Sequence, residues 1–291
     1  MPRVQVERFD DPAAYLGATE PLLLADEARH NLMLGIAGNL RDHPGLYLEF
    51  HGWLARENGR PVGTALQTPP YNLVLARASA PGGIEALAEA LREQRAELPG
   101  VTAAVPEADE FAEAWLRRAR LERRVRMRQR IYRLTAVRPV QGVRGRPRSA
   151  TSADRRLLLE WVHAFAKESF DDVDPKAAER QVAARIDRGA GGFAFWEDGQ
   201  PVSLVGWGGE TPNGVRIGPV YTPPELRRHG YASALTASVS AKLLAAGRRF
   251  CFLYTDVENE TANRIYAEIG YEPVCDSVDY AFVPRGTGDL A

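Results

Sequence analysis

The sequence predicts two tandem copies of a mixed α/β (α+β) fold, each with a central, mostly antiparallel sheet flanked by helices. The same order of elements, helix-helix-hairpin-strand-helix-strand-helix-strand, occurs twice along the chain. Between the copies, Val137–Ala150 holds two prolines, two glycines and no acidic residue, a composition typical of a linker. A chain of 291 residues is long enough for two domains of ordinary size. We therefore expect a first domain at 1–136, a linker at 137–150 and a second domain at 151–291.

Hydrophobic periodicity and turn residues place the elements of the first half. Pro12–Leu40 is expected to be largely helical, as two helices, and Asn58-Gly59 is typical of the tight turn of a hairpin. The other predicted elements are the hairpin strands Tyr47–Ala55 and Pro61–Gln67, strand Tyr71–Ala76, helix Ile84–Glu97, strand Val101–Val105, helix Glu107–Arg118 and strand Arg124–Leu134.

The second half repeats this order with clearer signals. Thr151 to Asp154 offers helix-capping chemistry ahead of an amphipathic segment, and Asp198-Gly199 is typical of a hairpin turn. Phe250–Thr255 is almost continuously apolar, as in a strand buried on both faces. The other predicted elements are helices Arg155–Lys167 and Ala177–Ile186, hairpin strands Gly192–Glu197 and Pro201–Gly206, strand Gly214–Tyr221, helices Tyr231–Ala246 and Asn259–Ile269, and strand Val278–Val283.

Composition excludes several classes of function. Hydrophobic residues make up 45% and charged residues 26%, an ordinary globular balance, and the net charge of -1 gives no electrostatic case for nucleic acid or an acidic membrane. Cys251 and Cys275 are too few for a disulfide scaffold, and no close cysteine-histidine spacing indicates a metal site. Neither a signal peptide nor a membrane-spanning run is evident, so we expect a cytoplasmic protein without metal. The oligomeric state is left open.

One segment, Val220–Ser233, indicates a class of ligand. It reads as a strand that stops at Pro223-Pro224, an arginine-rich turn around Gly230, and then a helix. Backbone N–H groups at such a helix start have no internal partner. Together with the helix dipole and nearby guanidinium groups, they form an anion site suited to a pyrophosphate.

Two motifs carry a resemblance to a known family. Arg227-Arg228-His229-Gly230-Tyr231-Ala232 resembles the Arg/Gln-x-x-Gly-x-Gly/Ala pattern of the GNAT superfamily of N-acetyltransferases. Asn259 to Tyr266, followed by Gly270-Tyr271, resembles the family's Asn-x-x-Ala-x-x-x-Tyr segment and the Gly-Tyr/Phe pair after it. The resemblance implies an acetyl-CoA-dependent N-acetyltransferase that transfers an acetyl group directly to a primary amine of a small-molecule or peptide acceptor.

The resemblance also implies roles for individual residues. The turn around Gly230 would hold the diphosphate, the backbone of Pro219 to Tyr221 would pair with the pantetheine arm, and Asn259 would hold that arm from the other side. Tyr266 would protonate the departing thiolate as a general acid. The implied cofactor-binding residues are Pro219, Val220, Tyr221, Arg227, Arg228, His229, Gly230, Tyr231, Ala232, Ser233, Asn259 and Tyr266.

Structural interpretations of the same residues stand beside these roles. Asn259 also suits the cap of a helix, and Tyr266 suits a core aromatic position. A general base is required because an alkyl ammonium group must lose a proton before it attacks. The candidates are Asp256, Glu210 and Glu168, and each is also an ordinary residue of a solvated turn or helix end.

The first half departs from the family pattern. At the position of the phosphate-binding turn it reads Ser79-Ala80-Pro81-Gly82-Gly83-Ile84, with glycines but no arginine. Its helix region Glu110–Arg118 has no asparagine-tyrosine pair at the required spacing. We therefore expect a degenerate domain that acts as a structural partner or contributes to the acceptor site.

Two alternatives stay open at this point. The chain is also consistent with a non-catalytic module that binds acyl-CoA as a sensor or regulator, for which we expect saturable CoA binding without thiol release. Thirteen arginines against the single Glu122 lie between Arg117 and Arg148. From Arg124 to Ile131 the arginines alternate, so a strand would place those on one face. That face is either solvated and balanced by acids elsewhere, or it meets nucleic acid, an acidic protein or the cofactor's outer phosphate.

Overall fold

A computed structural model describes residues 4–170, 174 and 176–285. Its strands are β1 (Val4–Phe9), β2 (His51–Glu57), β3 (Arg60–Gln67), β4 (Leu73–Leu75), β5 (Gly100–Ala104), β6 (Leu121–Leu134), β7 (Arg146–Ser149), β8 (Gly191–Glu197), β9 (Pro201–Gly208), β10 (Gly214–Tyr221), β11 (Phe250–Asp256) and β12 (Glu272–Pro284). Its helices are α1 (Pro12–Leu24), α2 (Asn31–Asp42), α3 (Gly83–Glu93), α4 (Val105–Leu116), α5 (Arg155–Ser169), α6 (Ala177–Ile186), α7 (Tyr231–Ala245) and α8 (Glu260–Ile269).

The chain divides into two compact units. Unit 1 takes its described residues from 4–131, 256–258 and 274–285, and unit 2 takes them from 132–255 and 259–273. Each unit contains a sheet with helices packed on it, so the predicted fold class is confirmed. The domain boundaries at 136 and 151 stay a prediction.

The sheet of unit 1 begins with the hairpin strands and ends with a strand from far along the chain. The strands follow the order β1-β2-β3-β4-β5-β12, and only β4 and β5 run parallel within this series. Ser277 of β12 pairs with Ala104 of β5, and the Ser277 hydroxyl donates to the Ala103 carbonyl. Apolar side chains of α3 and α4, including Leu87 and Phe111, form the core against this sheet.

The arginine-rich strand β6 has acidic partners in unit 1. Arg123 donates to Asp109 at 2.8 Å, and Arg130 donates to Asp276 at 2.6 Å. These two arginines are therefore balanced by carboxylates, as in the solvated interpretation of this strand.

Unit 2 contains the sheet that positions the candidate site. Its strands follow the order β7-β8-β9-β10-β11, antiparallel except for the pair β10 and β11. Alternate residues of β8 enter separate cores: Ala194 and Trp196 pack on the α7 side, and Phe193 and Phe195 pack on the α5 and α6 side. Both faces of this sheet are thus covered by helices.

Two strands were not predicted from the sequence. β1 begins unit 1, and β7 lies inside the segment 137–150 that was predicted to be a linker. β7 pairs with β8, and Pro147 opposes Trp196 in that pair. Because β7 is an edge strand, the missing N–H of Pro147 leaves no internal hydrogen bond unmade.

Candidate functional site

The pairing of β10 is irregular at its centre. Its register with β9 shifts between Ile217 and Val220, at Gly218-Pro219. With β11 it forms only three residue pairs, from Gly214 with Phe250 to Arg216 with Phe252. All residues of both strands are described, and beyond Arg216 they no longer pair with each other. The second half of β10 therefore presents a backbone edge on which an extended molecule can form strand-like hydrogen bonds.

A strand-turn-helix follows this edge. The strand ends at Tyr221, and after a 3₁₀ turn at Pro224–Leu226 the helix α7 begins at Tyr231. Arg228 and Gly230 have positive φ angles of 68° and 79°. This alternation of left-handed residues with ordinary ones turns successive N–H groups toward one side, an arrangement that binds anions.

The N–H groups of this turn have no acceptor in the part of the chain that the structure describes. Among the described residues, the first backbone hydrogen bond of the helix runs from Ala234 to the Gly230 carbonyl, and the N–H groups of residues 228–233 donate to nothing. Helix starts normally satisfy such groups with a capping side chain, water or a ligand. The predicted turn therefore supplies six donors and the positive end of α7 at one place.

The side chains of the turn differ in their availability. Arg227 donates to the Thr222 carbonyl at 2.9 Å and to Glu168 at 2.6 Å, so part of its guanidinium is already engaged. His229 stacks on the ring of Tyr231 at 5.4 Å. Arg228 is exposed, and in the described chain it forms no ion pair. Of the two predicted arginines, Arg228 is thus the one free to pair with a phosphate oxygen.

Asn259 is the N-cap of helix α8. Its Oδ1 atom accepts a hydrogen bond from the Ala262 N–H at 3.0 Å, so the structural interpretation of this residue is observed. The same bond fixes the orientation of the amide. Its NH₂ group donates to no described residue and remains available to a ligand.

Tyr266 lies on α8, and its ring is part of the unit 2 core. The side chain is only 8% exposed and meets Tyr271 edge-on at 5.9 Å. Burial raises the pKa of Tyr266 to about 12, so its hydroxyl keeps its proton at neutral pH. Among the described residues the hydroxyl has no hydrogen-bond partner, yet it is not enclosed by protein. A core ring with an unengaged hydroxyl fits both the core and the general-acid interpretations.

The three base candidates all have polar contacts already. Glu168 accepts from Arg227, Glu210 pairs with Arg248, and Asp256 accepts from the Glu258 N–H at 2.9 Å. Asp256 belongs to unit 1, whereas the other two belong to unit 2. The assignment of a base stays a prediction, as do the other site residues.

Sequence reasoning did not identify two further polar residues of unit 2, Arg185 on α6 and Arg216 on β10. Each has a buried Nη1 atom without a hydrogen-bond partner. The sequence shows them only as two of many arginines. Gly206, Gly208 and Gly209, which make room for them, are the only local signal of an unusual position.

Two general features of the described residues bear on the class of site. No group of three or more histidine, cysteine, aspartate or glutamate side chains is arranged to hold a metal ion. None of the helices is both long and apolar enough to span a bilayer.

Comparison with known proteins places the fold. Residues 195–279 match the family model described as FR47-like protein. No curated protein matches the chain. The resemblance of the two motifs to the GNAT superfamily is confirmed by this match and by the solved structures of the same fold.

Three solved structures illustrate the likeness. A tandem GNAT protein from the clavulanic acid biosynthesis pathway is 17% identical, with a TM-score of 0.62, and the match covers 99% of this chain and 100% of that one. A GCN5-related N-acetyltransferase from Sphaerobacter thermophilus is 19% identical, with a TM-score of 0.59 and coverage of 94% of each chain. A GNAT-family acetyltransferase from Colwellia psychrerythraea is 12% identical, with a TM-score of 0.58 and coverage of 96% and 100%. The tandem GNAT fold is thus shared over nearly the whole length.

Proposed function

We propose that this chain, which has the tandem GNAT fold, is an acetyl-CoA-dependent N-acetyltransferase with its active site in unit 2. The observation that carries the proposal is the turn before α7, where six consecutive backbone N–H groups have no acceptor among the described residues. A pyrophosphate supplies the acceptors that these groups lack, and the exposed Arg228 adds a charge-assisted contact.

The backbone next to this turn would bind the pantetheine arm of acetyl-CoA. The pantetheine arm would form strand-like hydrogen bonds with the free edge of β10 from Pro219 to Tyr221. The NH₂ group of Asn259, oriented by its cap, would contact the arm from the other side. This placement brings the thioester to the irregular part of β10.

Transfer then requires one bond to form and one to break. The neutral amine nitrogen attacks the thioester carbonyl carbon, and the N–H of Val220 would stabilise the oxygen that becomes negative. The carbon–sulfur bond breaks as the amide forms, and the thiolate takes a proton from Tyr266. Burial that raises the pKa of Tyr266 also raises the proton affinity of a thiolate beside it, which keeps the transfer feasible.

The proton of the attacking amine needs an acceptor. Glu168, Glu210 and Asp256 remain the proposed candidates, either directly or through water. Each already accepts a hydrogen bond from protein, so a base role requires that contact to loosen or to be shared.

We also propose that the first domain is a degenerate copy. Gly82 begins α3 with a φ angle of 79°, the same backbone conformation as Gly230 before α7. Its turn has no arginine, and Gly83 packs so tightly that a Cβ would lie 2.9 Å from the Val62 carbonyl. A structural role or a contribution to acceptor binding fits this turn better than a second donor site.

Calorimetry and an activity assay together test the function. Purified protein is titrated with CoA and acetyl-CoA, and thiol release from acetyl-CoA is followed over a panel of primary amines. Binding together with amine-dependent thiol release supports the proposal. Saturable binding without release over the whole panel would instead indicate an acyl-CoA sensor, and no binding would overturn the proposal.

A further inference from the structure

Two arginines of unit 2 lie close together, and no described carboxylate pairs with either of them. Arg185 comes from the last turn of α6, and Arg216 comes from β10 just before its irregular part. Both side chains are partly buried, and both Nη1 atoms are buried without a hydrogen-bond partner. In the described part of the chain neither forms an ion pair.

Glycines shape the sheet beneath them. A Cβ on Gly206 would overlap the Arg185 guanidinium, and a Cβ on Gly209 would lie 2.8 Å from Arg216 Nη2. Gly208, between them, opposes Arg216 in the β9–β10 pair. Glycine at these three positions therefore leaves room beside the backbone for both guanidinium groups.

The arrangement is costly for the isolated protein. Burial, and to a lesser extent the positive charge of Arg216, lower the pKa of Arg185 to about 9. The Phe193 ring, 4.8 Å from the Arg185 guanidinium, offsets only part of this cost. Arg148 in the same unit is instead paired with carboxylates, since it donates to both Asp154 and Glu197. An unpaired buried cation is destabilising, so a like-charged pair is not explained by stability.

Arg185 can be reached from outside, and it lies near the proposed acetyl position. Arg185 lines a cavity of about 330 Å³ together with Phe193, Trp207 and small residues around Ser149 to Ser152. The point where a Gly206 Cβ would meet Arg185 is also 3.0 Å from the Gly218 carbonyl, in the irregular part of β10. A small molecule held by the pair would thus lie next to that part of the strand.

We propose that Arg185 and Arg216 bind the carboxylate of the acceptor, which is therefore a small amine of the amino-acid class. The proposal rests on the function proposed above, because it names the acceptor of that same reaction. The two oxygens of a carboxylate match two guanidinium groups whose Nη2 atoms are not enclosed by protein and donate to no described residue. The bound carboxylate would supply the negative charge that the protein lacks at this position.

Matched acceptors test the assignment. The twenty standard L-amino acids and their primary amides are compared by thiol release from acetyl-CoA, and the amino acids are titrated into protein saturated with CoA. We expect at least one amino acid to bind and to react with a kcat/KM about 10- to 100-fold above that of its amide. If amino acids neither bind nor outperform their amides, the assignment is wrong.

Variants of Arg185 and Arg216 test whether these two residues cause the preference for a carboxylate. R185M and R216M should each lower kcat/KM for the amino acid about 10- to 100-fold, with the rate for its amide within two-fold and CoA affinity unchanged. R188M removes the same charge from an exposed position three residues further on and should change none of these values. Equal losses for amino acid and amide, or unfolding of both pair variants, would show a structural role instead.

The two proposals fail in different ways. Loss of all CoA binding in the wild type contradicts the proposed function. The carboxylate site is then judged by titrating the amino acids into protein without CoA, where binding that R185M and R216M abolish supports it and no binding overturns it.

Discussion

The Arg227 guanidinium lies 2.6 Å from the Glu168 carboxylate, so a predicted phosphate ligand and a predicted base are joined in one ion pair. Both side chains are close to half exposed, and such pairs contribute little to stability, about 0–1 kcal/mol. We expect E168Q to release Arg227 and to tighten CoA binding by up to about three-fold. Calorimetry and steady-state kinetics measure this, with E160Q on the exposed surface of the same helix as the control. A large loss of turnover at unchanged CoA affinity would instead make Glu168 the base.

Gly230 should be required for CoA binding. Gly230 and Gly199 have nearly the same φ, 79° and 77°, so alanine strains the backbone by a similar amount at either position, about 1 kcal/mol. G230A disturbs the turn before α7, and we expect it to weaken CoA binding about ten-fold, the equivalent of one charge-assisted hydrogen bond. A Cβ on Gly230 would also lie 3.0 Å from the Val143 side chain, whereas a Cβ on Gly199 meets no described residue. G199A, in the β8–β9 turn, should therefore lose no more thermal stability than G230A and should keep normal CoA binding. Equal CoA affinities in the two variants would remove the turn from the site.

The hydroxyl of Tyr266 should matter for turnover and not for stability. It has no partner among the described residues, whereas the Tyr271 hydroxyl shares a hydrogen bond with Ser240 at 2.8 Å. We expect Y266F to lower kcat about 100-fold with little change in CoA affinity or thermal stability. Y271F should leave kcat unchanged and lower the free energy of unfolding by about 1 kcal/mol. Unchanged turnover in Y266F would exclude the general-acid role.

The pH profile should reflect the raised pKa of Tyr266. A group with a pKa of about 12 is protonated at every lower pH, so a reaction that needs its proton declines only near that value. Amines near their reference pKa of about 10 become more reactive as the pH rises. We therefore expect kcat to rise or level off between pH 7 and 10, measured with background thioester hydrolysis subtracted. A fall in kcat over this range that is absent in Y266F would contradict the raised pKa.

Arg148 should stabilise unit 2 in a pH-dependent manner. Its hydrogen bonds hold the pKa of Asp154 at about 2, below the usual value near 4. A lowered carboxyl pKa contributes stability above the unfolded value, and this contribution is lost as the pH falls from about 4 to about 2. We expect R148M to lower the free energy of unfolding by about 1–2 kcal/mol at pH 7 and by clearly less at pH 2.5, measured by denaturant unfolding. A loss that does not depend on pH would leave only packing on Phe195 as the cause.

The parts of this structure that depend on local chemistry could be predicted from the sequence. The Pro-Pro stop, the left-handed Gly230 and the cap at Asn259 act within a few residues, and the structure contains each of them. β7 was not predicted because its segment has a composition typical of a linker. It forms a strand because it pairs with β8, which lies more than 40 residues further along the chain.

Side-chain partnerships across long separations could not be predicted. Glu168 and Arg227 are 59 residues apart, and nothing near either residue indicates the other. The burial of Arg185 and Arg216 likewise depends on how α6 and β10 each lie against β9. Charge alone would place both arginines on the surface.

The pairing of β12 with β5 has a consequence for synthesis. Ser277 and Ala103 lie 174 residues apart, yet both belong to the sheet of unit 1. At roughly 5–20 residues per second, a ribosome needs roughly 9–35 seconds to make the segment between them. During that time the Gly100–Ala104 edge of the nascent unit waits for its neighbour while the whole of unit 2 is made. The amino-terminal half of this protein therefore completes its fold late, and in that interval it is the part of the chain most in need of protection from aggregation.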